Sequence, residues 1–199
     1  MKILVIGAHP DDYELGMAGT ILSHIDKGDE VYAILATDGG VLNDGKVRLA
    51  EAKEIAKFLG IKEIFYLGLK DTEINDGKTT IDLIEKIIDK INPDRVYTHG
   101  RTDTHQDHRN LSNATLSAAR KVKQVLFFES PSTQTDFGPN FFVDITKYMD
   151  KKLEALKMYE SVGKLRYFEK DSIISGAKFR GFQCNRKQAE CFHIFRFLE

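Results

Sequence analysis

Most of the residues able to do chemistry fall in two short clusters, His9-Pro10-Asp11-Asp12-Tyr13-Glu14 and His105-Gln106-Asp107-His108. Imidazole nitrogens and carboxylate oxygens are good ligands for zinc, and a catalytic zinc takes three protein ligands while a fourth position holds water. His9, Asp12 and His108 supply such a His₂Asp set. Asp11 and His105 then stand beside the metal, unbound. Zinc lowers the pKa of a bound water to about 7, so a neighbouring carboxylate such as Asp11 can take its proton. A histidine such as His105 can protonate a leaving atom or stabilise an oxyanion. Asp107 is placed to orient His105 and to favour its protonated form. A metal, a base and an acid in one cleft suit hydrolysis of an amide or ester.

Blander readings compete with this one. Asp11-x-x-Glu14 also matches a helix capping box, and Pro10 suits a helix start. Glu14 is therefore expected to cap the helix or to orient a ligand. His24 and His193 are expected to be structural, and His99 either to back the ligands or to pack. Cys184 and Cys191 are spaced too widely for a Cys-x-x-Cys site and are expected to be core residues or free thiols. A nucleotide-binding module on the same framework is disfavoured. The Gly-x-Gly-x-x-Gly fingerprint is absent, and two aspartates stand where a phosphate needs bare backbone N–H groups.

The elements that must bring the clusters together can be read from the pattern of apolar residues. Lys2 to Ala8, Glu30 to Thr37, Ile64 to Leu67, Arg95 to Thr98 and Val125 to Phe128 read as strands. Leu15 to Lys27, Arg48 to Leu59, Thr79 to Ile91 and Asn110 to Lys121 read as helices between them. This βαβα rhythm, with nearly continuous apolar strands, predicts an α/β fold. Its doubly wound parallel sheet carries helices on both faces. In the common strand order 3-2-1-4-5, strands one and four are neighbours where the order reverses, and ligands bind there beyond the strands' carboxyl ends. Each cluster follows one of those two strands. Beyond Ser130 the rhythm breaks. A loop over Pro131 to Asn140, a strand over Phe141 to Ile145, a helix over Thr146 to Tyr159 and a terminal strand over Cys191 to Leu198 are expected. No repeat or linker interrupts the chain, so residues 1–199 are read as one domain.

The 199 residues are 42% hydrophobic and 30% charged, a globular composition. Lys and Arg number 29 against 30 Asp and Glu, a net charge of −1, which disfavours a general nucleic-acid binder. No apolar run approaches the roughly 20 residues of a membrane span, and the opening Met1-Lys2-Ile3-Leu4-Val5-Ile6-Gly7 lacks the form of a secretory signal. The expectation is a soluble cytoplasmic protein.

Ala8-His9-Pro10-Asp11-Asp12-Tyr13-Glu14-Leu15-Gly16 with Gly19-Thr20 resembles the signature of the LmbE-like (PIG-L) zinc-dependent N-acetylglucosaminyl deacetylases. His105-Gln106-Asp107-His108 resembles its second signature. The likeness continues through Thr37-Asp38-Gly39-Gly40, Arg48, Glu51, Leu67-Gly68, Asp71, Phe128-Glu129-Ser130-Pro131-Ser132 and Glu190-x-Phe192. It implies a Rossmann-like domain that removes acetyl from an N-acetylated amino sugar, with zinc as cofactor, although Fe²⁺, Co²⁺, Mn²⁺ or Ni²⁺ suit the same donors. It implies His9, Asp12 and His108 as metal ligands, Asp11 as general base, His105 and Asp107 as an acid with its partner, and Arg48 as an arginine near the substrate. Several relatives are hexameric, which implies self-association. Gln106 stands where Pro is common, and Val162 where many relatives carry Gln. At this length, loops that would enclose a large glycolipid are expected to be missing. A metal- or carbohydrate-binding protein without deacetylase activity, or a hydrolase of another amide, is the alternative.

Overall fold

The protein is described by a computed structural model that covers residues 1–162 and 165–199. In chain order the elements are β1 (Lys2–Gly7), α1 (Asp12–Asp26), β2 (Glu30–Leu35), α2 (Gly45–Leu59), β3 (Glu63–Tyr66), α3 (Lys78–Ile91), β4 (Arg95–His99), α4 (Gln106–Ala118), β5 (Gln124–Phe128), β6 (Phe141–Asp144), α5 (Met149–Lys157), α6 (Lys170–Gln183) and β7 (Ala189–Phe197). The strands form one sheet in the order β3-β2-β1-β4-β5-β7-β6. The first five strands are parallel, as the βαβα rhythm predicts.

The central strand shows why the apolar runs are continuous. Ile3 and Val5 of β1 face one layer of helices, and Leu4 and Ile6 face the other. The first layer is built from α1, α2 and α5 through Met17, Ile21, Ile55, Leu59 and Ala155. The second comes from α3 and α4 through Ile84, Ile88, Leu111 and Ala118. Burial on both faces leaves no polar side for alternation to mark. β1 pairs with β2 on one side and β4 on the other, so the strand order reverses between β1 and β4. The two residue clusters leave the sheet there.

Beyond β5 the sheet differs from the sequence reading in detail. The terminal strand runs antiparallel between β5 and β6. The expected Thr146–Tyr159 helix is a short 3₁₀ turn over Thr146–Tyr148 followed by α5. Helix α6 was not anticipated. It buries only Ala177 and Gly181 of its fourteen residues, so it carries almost no apolar stripe for periodicity to reveal. Gly181 is required there, since a Cβ would lie 2.7 Å from the Arg186 carbonyl oxygen.

Helix α1 has a break of its own. Met17 departs from helical dihedrals (φ −152°, ψ 23°). Glu190 of β7 receives the Gly19 and Thr20 N–H groups at 3.0 and 2.6 Å, and the Lys152 ammonium binds both Glu190 and the Leu15 carbonyl at 2.6 Å. Backbone groups at the kink are thus satisfied by one buried ion pair.

Candidate active site

His9, Asp11 and Asp12 occupy the turn from β1 into α1, and His105, Asp107 and His108 the start of α4. The turn after β1 is strained. Asp11 has φ 102°, a left-handed conformation uncommon for a residue with a side chain. Asp11 stands at the N-cap position but makes no side-chain cap bond. Glu14 does not cap either. It is fully buried and accepts a 2.8 Å hydrogen bond from the Tyr159 hydroxyl. The capping-box expectation therefore fails, because the Asp11 carboxylate points into the cleft toward Arg48 rather than back onto the helix.

Three side chains converge as the spacing suggested. The His9 Nδ1, Asp12 carboxylate and His108 Nε2 atoms lie within 4.8 Å of one another, all on buried residues. His108 Nε2 is 3.3 Å from His9 Nδ1 and 3.2 Å from Asp12 Oδ1. The far nitrogen of each ring meets carboxylates. His9 Nε2 is 3.1 Å from both Asp107 and Asp71, and His108 Nδ1 is 3.1 Å from Asp103 and 3.2 Å from the Ser132 hydroxyl. Such outer contacts orient the rings and, in the neutral form that ligates a metal, place the proton on the outer nitrogen and turn the lone pair inward, as carboxylates behind ligating histidines do at metal sites. His99 reaches Asp12 at 3.1 Å and stacks on His108 at 3.8 Å, so it backs the cluster.

The electrostatics follow from this packing. Burial alone would lower the His9 pKa, but its contacts with Asp107, Asp12 and Asp71 prevail and push it up to about 12. Burial likewise opposes the His108 charge, yet Asp12 and Asp103 raise it to about 9. Burial favours the neutral form of Asp12, but the charge of His108 and contact with His99 hold it well below the usual carboxylate range. Asp11 goes the other way. Burial and the neighbouring Asp12 charge push it up to about 7, against the pull of Arg48.

Two roles differ from the sequence reading. The Asp107 carboxylate serves His9 and the backbone N–H groups of Thr72 and Ile74, at 2.8 and 3.1 Å, rather than the His105 ring. His105 itself caps α4, its Nδ1 accepting the Asp107 N–H at 3.2 Å. Burial and repulsion from His108 and His9 lower its pKa. A neutral ring with Nδ1 accepting keeps its proton on Nε2. Arg48 is only 2% exposed, and its guanidinium donates to the Gly39 carbonyl at 2.7 Å, the Pro10 carbonyl at 2.7 Å and Asp11 at 3.0 Å. It holds the Asp11 carboxylate in place. Gly39 has φ 67°, and a Cβ on it would lie 2.1 Å from Arg48, so this turn is closed to other residues.

His9, Asp11, Asp12, Arg48, Asp71, His105 and His108 line a cleft of about 360 Å³ with Leu15, Val41, Leu42, Pro131 and Tyr167. Asp71, Asp103 and Tyr167 were not singled out as site residues by sequence reasoning. Asp71 and Asp103 follow β3 and β4, where strand-end position is the available signal; Tyr167 lies in a short 3₁₀ turn over Arg166–Phe168, which offers none. Gln106 is exposed at the rim, and Val162 is buried in the core. His24 pairs with Asp29 and Tyr97 away from the cleft, and both cysteines are free thiols.

The family described as PIG-L, GlcNAc-PI de-N-acetylase, matches residues 4–119. The chain belongs to this family. Among similar proteins, an uncharacterized deacetylase of Escherichia coli, YaiS, is 36% identical over 170 residues, 80% of this chain and 90% of that protein. The diacetylchitobiose deacetylase of Thermococcus kodakarensis is 32% identical over 185 residues, covering 80% of this chain and 69% of its own length. In three dimensions, the N,N'-diacetylchitobiose deacetylase of Pyrococcus horikoshii superposes with a TM-score of 0.84 at 26% identity, over 98% of this chain and 83% of that one. Both signatures lie within the PIG-L match. Among the described residues, no helix is long and apolar enough to cross a membrane.

Proposed function

We propose that this chain is a divalent-metal-dependent deacetylase that removes the N-acetyl group from an N-acetylglucosamine-type sugar or sugar conjugate. The observation that carries the reading is the convergence of the His9 Nδ1, Asp12 and His108 Nε2 donors in one cleft, with Asp11 beside them. The donor set fits zinc: two imidazoles and one carboxylate, each imidazole backed by carboxylates. Fe²⁺, Co²⁺, Mn²⁺ and Ni²⁺ suit the same donors. A bound divalent cation would polarise the acetyl carbonyl and make the attacking water more acidic.

The chain's own groups account for the proton traffic. Asp11 accepts a proton from the water as its oxygen adds to the acetyl carbon, and Arg48 keeps that carboxylate facing the cleft. The neutral His105 presents its Nε2–H to the developing oxyanion, a donor fixed in advance by the Nδ1 contact with α4. The C–N bond then breaks as Asp11 returns that proton to the amine nitrogen, the carboxyl proton of the acetic acid formed is lost to the amine or to solvent, and acetate and the free amino sugar leave.

The test is acetate release by zinc-loaded protein from a panel of N-acetylglucosamine derivatives. The proposal expects turnover on at least one member, lost on chelation and restored by adding zinc. Turnover unaffected by exhaustive chelation, or no acetate from any member, would overturn it.

A further inference from the structure

Thr72 lines the catalytic cleft from the turn after β3, and its side chain has no part in the chemistry described above. Its φ is 70°, in the left-handed region. A β-branched residue is an outlier there, because Cβ crowds the following carbonyl oxygen.

The turn is held from several sides. Asp71 Oδ2 accepts the Val41 N–H at 2.9 Å, while Asp71 Oδ1 lies 3.1 Å from His9 Nε2. With Thr72 left-handed, the N–H groups of Thr72 and Ile74 converge on the Asp107 carboxylate at 2.8 and 3.1 Å. Asn110 donates to the Ile74 carbonyl at 2.8 Å. The turn thus supports His9 through both Asp71 and Asp107. None of these contacts uses the Thr72 side chain. Glycine or asparagine would supply the same N–H with less crowding. Strain of this kind persists where neighbouring structure enforces it, and it clusters at sites of function. What the threonine adds is position. It is exposed between the buried Asp71 and Ile74, and it brings a hydroxyl and a methyl group to the cleft that holds Asp11 and His105. A hydroxyl can donate to or accept from a hydroxyl of a sugar.

We propose that Thr72 is a specificity-determining residue, whose hydroxyl bonds to a hydroxyl of the sugar that loses its acetyl group. The left-handed backbone fixes where that contact is made. The inference rests on the deacetylase reading for what occupies the cleft. Three variants separate the parts. Thr72→Val keeps the branched shape and the strain and removes the hydroxyl. Thr72→Gly removes side chain and strain together. Thr72→Ser keeps the hydroxyl.

Acetate release by the zinc-loaded proteins is measured on N-acetylglucosamine and on its deoxy derivatives at C3, C4 and C6, with zinc content and Tm read in parallel. Thr72→Val should raise KM for N-acetylglucosamine by about three- to tenfold, the weight of one neutral hydrogen bond, with kcat, zinc content and Tm unchanged. One deoxy derivative should carry the same loss in the wild type, and Thr72→Val should add nothing to it. Thr72→Gly should raise KM equally while raising Tm by about 2–4 °C, and Thr72→Ser should restore KM. A KM indifferent to Thr72→Val, full additivity with all three deoxy sugars, or a lower Tm in Thr72→Gly would overturn the inference. So would a fall in kcat or zinc content, which would mark a residue acting only through Asp107. Calorimetric titration with glucosamine, the deacetylated sugar, reads the contact without turnover. Binding weakened by Thr72→Val with no acetate released from any substrate would sustain the contact and reject the reaction. Binding equal in the two proteins, or absent from both, would reject the contact, and acetate release by the wild type would then leave the deacetylase reading intact.

Discussion

Asp11 is the residue on which geometry and chemistry meet most closely. Its backbone is held at φ 102°, its carboxylate is pushed up to about 7, and a buried arginine pins it. Strained dihedrals persist where surrounding structure enforces them, and they cluster at functional sites. Asp11→Asn is expected to keep the metal, measured by elemental analysis, while lowering kcat by about 10²–10⁴-fold, the usual contribution of a general base. Near-normal turnover would remove Asp11 from the reaction. Arg48 gives a prediction with a sign. A carboxylate acting as general base works only when deprotonated, so in the proposed reaction the rate falls as pH drops through the Asp11 pKa. Arg48 holds that pKa down. Arg48→Met should therefore move the acid limb of the kcat profile to higher pH; a limb that stays in place would show that Arg48 does not act on the base. The convergence of His9, Asp12 and His108 was legible because the residue types and strand-end positions sufficed. The carboxylates behind the two rings were not assigned that way, since Asp71, Asp103 and Asp107 show their partners only once loops from three strands meet.

At the scale of elements, the kink in α1 delivers the Asp11–Asp12 turn into the cleft. It depends on a residue from the far end of the chain. Glu190 accepts two backbone N–H groups and the Lys152 ammonium, and both partners of the pair are nearly excluded from water. Removing one member of a buried pair leaves an uncompensated charge and typically costs about 3–5 kcal/mol. Glu190→Ala should destabilise by that amount in urea unfolding, and Glu190→Gln by less, because its amide oxygen can still accept. A loss under about 1 kcal/mol, below what mutational data assign to most buried unpaired polar groups, would show the pair to be dispensable. The parallel half of the fold was readable because β1, β2, β4 and β5 are apolar on both faces and the helices between them carry stripes at helical spacing. The last third was less so. Helix α6 lies on the surface with little apolar face, and the antiparallel direction of β7 is set by packing against β5 that no local pattern encodes.

Across the whole molecule, two segments far apart in sequence meet because the strand order reverses between β1 and β4. The parallel sheet makes the contact, and His9, Asp12 and His108 converge there. If those donors grip a divalent ion jointly, binding stabilises the folded chain by mass action, by about 2.7 kcal/mol at a hundredfold excess over Kd. A chelator should then lower Tm, and His108→Ala should abolish that sensitivity; an unchanged Tm would argue against tight binding. The most direct measurement is anomalous diffraction at the zinc edge from zinc-loaded crystals. One peak within about 2.3 Å of His9 Nδ1, an Asp12 oxygen and His108 Nε2 is the expected result. No peak at that position, or a peak held on the opposite side of His9 by Asp107 and His105 alone, would contradict it.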